Sequence, residues 1–120
     1  MGFLDNLKEN LQDKVSGNAK KELDKILPEG ENIIKIYVVK EDFCAITDKR
    51  VAFVDKKLLG SKKTLTSVPF SKINFVALKR GGFLSISKEV IIGTGGLTLE
   101  VDTYDGEQAY EIMREISKRL

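Results

Sequence analysis

No histidine and no tryptophan occur among the 120 residues, and cysteine appears once, at Cys44. Without histidine, the usual general base, proton shuttle and zinc ligand are missing. A lone thiol builds neither a thiolate metal site nor an internal disulfide, so nothing calls for an oxidising compartment. Within Phe43-Cys44-Ala45-Ile46 the cysteine reads as a small packed side chain, because no imidazole stands by to activate it. Proline is confined to Pro28 and Pro69, where it acts as punctuation. No apolar run approaches the roughly 20 residues needed to span a bilayer. The N-terminus does not read as a secretory leader, since Asp5, Lys8 and Glu9 interrupt any apolar stretch. Met1-Gly2 opens like a myristoylation signal, but Asn6 stands where Ser or Thr is wanted. The expected compartment is the cytoplasm.

Catalytic constellations fail on the same inventory. Glu41-Asp42 and Asp102 with Asp105 are carboxylate pairs, but they fall at predicted turns, where solvated acids are ordinary. Gly93-Thr94-Gly95-Gly96 leads into a strand with no Gly-Lys-Ser/Thr after it, so it reads as a hairpin turn and not a phosphate loop. No catalytic residue, cofactor site or metal site is assigned, and the chain is not expected to be an enzyme.

What is present suits one ordinary globular domain: 42% hydrophobic and 32% charged residues over a length that can bury a core. Residues 1–27 read as a helical extension and residues 32–120 as the body of the domain. In the extension Phe3, Leu4, Leu7, Leu11 and Val15 make one apolar stripe, and Ala19, Leu23, Ile26 and Leu27 make a second. The second is rotated by about 100° on an unbroken helix. A break at Ser16-Gly17-Asn18 lets both stripes face one core, so two short helices are expected.

From Ile33 the period becomes that of strands, expected at 33–39, 42–47, 50–54, 63–68, 73–78, 83–92 and 97–103. Alternation places Phe53 and Phe75 in the core. Asp105-Gly106 opens a last helix whose stripe is Ala109, Ile112, Met113, Ile116 and Leu120, with basic Lys118-Arg119 at its end.

Several short motifs stand in order along this chain: Thr47-Asp48-Lys49-Arg50, Val54-Asp55-Lys56, Gly60-Ser61-Lys62-Lys63 and Pro69-Phe70-Ser71, after the opening Met1-Gly2-Phe3-Leu4-Asp5. Together they resemble the bacterial pleckstrin-homology (PH) family. The resemblance implies an α+β fold, a seven-stranded antiparallel PH-like barrel capped by the C-terminal helix. It also implies a small binding or scaffolding domain that forms ring-like homo-oligomers. Fold alone does not deliver function.

Charge is unevenly spread. Between Lys49 and Arg80 there are nine Lys/Arg and a single acid, Asp55, although the whole chain nets only +2. Lys49, Arg50, Lys56, Lys57, Lys62, Lys63, Lys79 and Arg80, with Leu58 and Leu59 among them, form a candidate face for an anionic ligand or an interface. Glu100, Asp102, Glu107 and Glu111 form a candidate acidic face. Opposed faces suit head-to-tail contacts between copies, which close into rings when the rotation permits. The alternative is peripheral binding of an anionic lipid surface through a Lys56–Lys63 loop, with Leu58 and Leu59 inserting between lysine pairs. The extension carries five Lys and five acids, so it lacks the basic face of a membrane-seeking helix. Nucleic acid is a minor reading. Phe53, Phe70 and Phe75 can stack on bases in principle, but a pI near 8.6 is below the usual basic footprint.

Overall fold

The computed structural model describes residues 3–39, 42–59, 62–80, 88–103 and 105–120, with side chains described outside 3–13 and 55–63. The order is α1 (Phe3–Ile26), β1 (Ile33–Val39), β2 (Asp42–Thr47), β3 (Arg50–Leu59), β4 (Lys62–Pro69), a 3-10 turn (Phe70–Lys72), β5 (Phe75–Arg80), β6 (Lys88–Thr94), β7 (Leu97–Thr103) and α2 (Gly106–Ser117). The seven strands divide into two antiparallel sheets, β1-β2-β3-β4 and β5-β6-β7, instead of one closed barrel.

The two sheets bury one core between them. Cys44, Ile46, Val51 and Phe53 from the first sheet meet Val90, Ile92, Leu99 and Val101 from the second. Ala109, Ile112 and Ile116 of α2 complete this cluster, as the sequence stripe predicts. Leu120 of that stripe is exposed, because the helix ends at Ser117 before reaching it. Asp105 caps the helix start, its carboxylate accepting from the backbone N–H of Glu107 at 2.9 Å and Gln108 at 3.5 Å.

Residues of β2 alternate between two cores, not between core and water. Phe43 and Ala45, with Ala52 from β3, pack under Ala19 and Leu23 of α1 on the opposite side of the sheet. That explains the unbroken apolar run 43–46, which a one-sided antiparallel strand would not show. Ala45 and Ala52 are register partners, and their small side chains let the helix approach closely.

Three sequence expectations change. The extension is one helix of 24 residues and passes through Ser16-Gly17-Asn18 without a break. A glycine inside a helix costs about 1 kcal/mol, whereas ending one helix and starting another orphans backbone groups at both new ends. The Phe3–Leu11 part of the first stripe lies outside the described side chains. The expected Lys56–Lys63 loop is instead the end of a hairpin, with Leu59 paired to Lys62 and an irregular register between Asp55 and Leu59. Phe75 is 48% exposed, because β5 begins there and turns Val76 and Leu78 inward. The 81–82 turn falls outside the described residues. Gly95 and Gly96 have φ of 46° and 119°, the left-handed pair that a two-residue hairpin requires.

Nothing lies within 4 Å of a Cβ built on Gly17. Gly17→Ala is therefore expected to raise unfolding free energy by about 0.5–1 kcal/mol in urea titration. A loss of stability would show that the helix needs a hinge at this point.

Candidate functional site

The Thr47-Asp48-Lys49-Arg50 turn joins β2 to β3, and its side chains hold the linker that follows α1. The Thr47 hydroxyl accepts from the backbone N–H of Lys49 at 3.0 Å and Arg50 at 2.9 Å, and donates to Glu31 Oε2 at 2.7 Å. Arg50 donates to both Glu31 oxygens, from Nε at 2.8 Å and from Nη2 at 2.9 Å. The Asn32 and Asp48 segments exchange two further bonds, at 3.1 and 3.2 Å. Only 1% of the Glu31 side chain is exposed, against 22% for Arg50. Burial pushes the Glu31 pKa up, but the hydrogen bonds from Arg50 and Thr47 and the Arg50 charge outweigh it and hold the carboxyl below its ordinary value.

Arg50 therefore leaves the exposed basic surface expected from the sequence, being committed to Glu31. Lys49 remains exposed in the turn. Lys79 lies 3.9 Å from Glu89, and Arg80 is exposed at the end of β5. Lys56, Lys57, Leu58, Leu59, Lys62 and Lys63 all belong to the β3–β4 hairpin, and their side chains lie outside those described. The hairpin thus gathers four lysines on one element, while the rest of the basic segment is dispersed.

The expected acidic face is also divided. Glu100 and Asp102 lie on β7, on the outer side of the three-stranded sheet, because Leu99, Val101 and Thr103 point inward. There they meet Glu89, and one carboxylate oxygen from each of the three lies within 4.8 Å of the others. Glu107 and Glu111 lie on α2. Lys35 donates to Glu111 at 2.6 Å, which holds the Glu111 carboxyl below its ordinary value. The Lys35 ammonium also lies 4.9 Å from the Tyr37 ring centre. Burial, with the nearby Glu111 and Glu115 charges, raises the Tyr37 pKa. Gln108 donates to the Val38 carbonyl at 3.0 Å. These contacts fasten α2 to β1 and occupy part of that strand's edge.

The one hydroxyl described above against a carboxylate, Thr47 on Glu31, is committed to closing the β2–β3 turn, with Arg50 paired to both carboxylate oxygens. Cys44 is fully buried, and desolvation pushes its thiol up to about 12. Phe53 and Phe70 are buried, which leaves Phe75 as the one exposed ring among the three weighed for base stacking. Glu31, Lys35 and Gln108 escaped the sequence reading. Their partners lie 16–19, 76 and 70 residues away, so no local spacing points to them.

Two facing antiparallel sheets with a C-terminal helix packed into their core define the class: a PH-like fold. The chain belongs to the Bacterial PH domain family, which it matches over residues 2–119. It is similar to the uncharacterized protein YozO of Bacillus subtilis (strain 168), with 30% identity over 105 residues covering 88% of this chain and 91% of the relative. A second Bacillus subtilis relative, the uncharacterized protein YjqA, shares 32% identity over 100 residues, 82% of this chain and 80% of its own. Among solved structures, a pleckstrin homology domain from Shewanella amazonensis SB2B superposes with a TM-score of 0.69 at 26% identity, covering 99% of both chains. A DUF1696 family protein from Shewanella loihica PV-4 shares the fold at a TM-score of 0.61 and 22% identity, covering 87% of this chain and 92% of its own. No described helix is long and apolar enough to cross a membrane.

The Glu31 clasp has a pH signature. Its native pKa lies below the ordinary 4.5, so its contribution to stability is complete above that value and declines as pH falls through the native one. Glu31→Gln is expected to lower unfolding free energy at pH 7 by about 2–4 kcal/mol, since Arg50 still reaches water. The variant is also expected to lose less stability than the parent on acidification below pH 4.5, read by denaturant titration across pH. Parallel curves would remove the clasp from the acid response.

Proposed function

We propose that this chain is a non-catalytic PH module of the bacterial cytoplasm that associates with copies of itself and scaffolds protein contacts. The observation that carries this reading is the separation of charge between elements. The β3–β4 hairpin concentrates Lys56, Lys57, Lys62 and Lys63, while Glu89, Glu100 and Asp102 gather on the outer side of the other sheet. Exposed apolar side chains accompany the charges, including Ile34, Phe75 and Leu97. Opposite charges on different surfaces favour a heterologous contact, which propagates until the rotation closes a ring. Rim charges steer such an encounter, and apolar burial supplies most of the affinity.

A second reading has its own observation. Leu58-Leu59 stands between two lysine pairs at the end of a hairpin, an arrangement that suits an anionic membrane surface at about 1 kcal/mol per lysine. Light scattering on a sizing column, at low and high salt, separates the two. Self-association predicts a discrete multiple of the 13.4 kDa protomer that shrinks as salt rises. A monomer at every concentration, together with binding to phosphatidylserine vesicles that is lost in Leu58→Ser/Leu59→Ser, would overturn it in favour of the membrane.

A further inference from the structure

β1 is the outer strand of its sheet, and among the described residues it pairs with β2 alone. Gln108 of α2, which lies outside the sheet, donates to the Val38 carbonyl, so the Val38 backbone groups point away from β2. Every second residue of an antiparallel strand points the same way, which turns the Ile36 N–H and C=O outward as well. No hydrogen bond from another described residue reaches them. Lys35 and Ile36 lie where two clefts along this edge meet. Ser16, Lys20 and Asp24 recur every four residues, so one stripe of α1 walls the joined trough. Its floor is residues 33–38 of β1, about 17 Å of strand, which matches about five residues of extended chain.

A lysine on an edge strand ordinarily repels an incoming strand. Here Lys35 is drawn onto Glu111 and the Tyr37 ring, and it no longer guards the Ile36 groups. The chemistry of the trough identifies its occupant. Outward backbone N–H and C=O groups are met by another extended backbone, which adds a strand to the sheet. A bulge between Ile33 and Lys35 leaves Ile34 without a ladder partner and 48% exposed, beside half-buried Ile33 and Ile36. Carboxylates dominate the rim: Asp24, Glu29 and Glu107 are exposed there against Lys20, while Lys35 is paired with Glu111 and Glu31 with Arg50. We infer that the β1 edge captures an extended segment of another protein that carries apolar and basic side chains. Its backbone bonds to Ile36, and its Lys or Arg side chains meet the acidic rim. At Val38 the Gln108 amide takes the carbonyl and ends the available edge. The inference deepens the scaffolding part of the reading above by naming the edge and its partner, and it does not require self-association.

The test adds a synthetic heptapeptide of alternating valine and lysine to the full-length chain, with one of alternating valine and glutamate as the comparison. The Ile36 amide is expected to exchange its hydrogen freely in the chain alone and at least about tenfold more slowly with the lysine peptide. Fluorescence anisotropy of labelled peptides is expected to favour the lysine peptide by about tenfold or more. Ile36→Pro removes the outward N–H, spares the ladder to β2, and is expected to abolish binding. Asp24→Lys/Glu29→Lys changes exposed side chains only and is expected to weaken the lysine peptide about tenfold with an unchanged circular dichroism spectrum. Unchanged exchange at Ile36, or equal binding of the two peptides, would overturn the inference. Protection of Ile36 without peptide, growing with protein concentration, would give the edge to a second copy and overturn it too. Solution mass is recorded on the same samples. A chain that stays at 13.4 kDa and still gains protection with the lysine peptide would overturn self-association and support this site.

Discussion

The carboxylate of Glu31, withdrawn from water between α1 and β1, is stable there because Arg50 and Thr47 supply hydrogen bonds from the β2–β3 turn. A carboxylate buried without such partners would cost several kcal/mol. The clasp therefore ties three parts of the chain together: the linker leaving α1, the first residues of β1, and the turn on which the central hairpin folds. It fixes where β1 enters its sheet, and through the linker it fixes where α1 sits. Thr47 makes this possible by closing its own turn and capping Glu31 with the same hydroxyl.

Above that clasp the four-stranded sheet is covered on both sides around β2 and the start of β3, while Leu65 of β4 stays exposed. One face joins the common core with the second sheet and α2, and the other is closed by Ala19 and Leu23. The three-stranded sheet has no such second cover among the described elements. This asymmetry links the fold to its proposed role. The sheet with small alanines on its outer face holds the chain's own helix, and the sheet with Phe75, Ile91 and an acidic row on its outer face carries none of the described helices.

Strand periodicity carried much of this architecture in the sequence. β1, β2 and β7 run over the spans that alternation and turn residues mark, and α2 begins after the Asp105 cap with the expected inward stripe. Local signals misled where tertiary context decided the outcome. Ser16-Gly17-Asn18 resembles a break, but packing at Ala19 and Leu23 and the cost of two extra helix ends keep the helix whole. Phe75 has core chemistry, but the 3-10 turn at Phe70–Lys72 delays β5, and the ring emerges on the outer side. Arg50 reads as one more basic residue in a basic run, because its partner lies 19 residues upstream in a linker with no distinguishing motif. Local charge density is legible in a sequence; pairing across a fold is not.

The fold turns on one requirement: the clasp must hold the central hairpin and α1 in a fixed relation. A double-mutant cycle between Glu31→Gln and Arg50→Met, followed by equilibrium unfolding at pH 7, tests that requirement directly. A coupling energy of about 1.5–3 kcal/mol is the result this account predicts. Additive effects, with coupling within about 0.5 kcal/mol of zero, would contradict it.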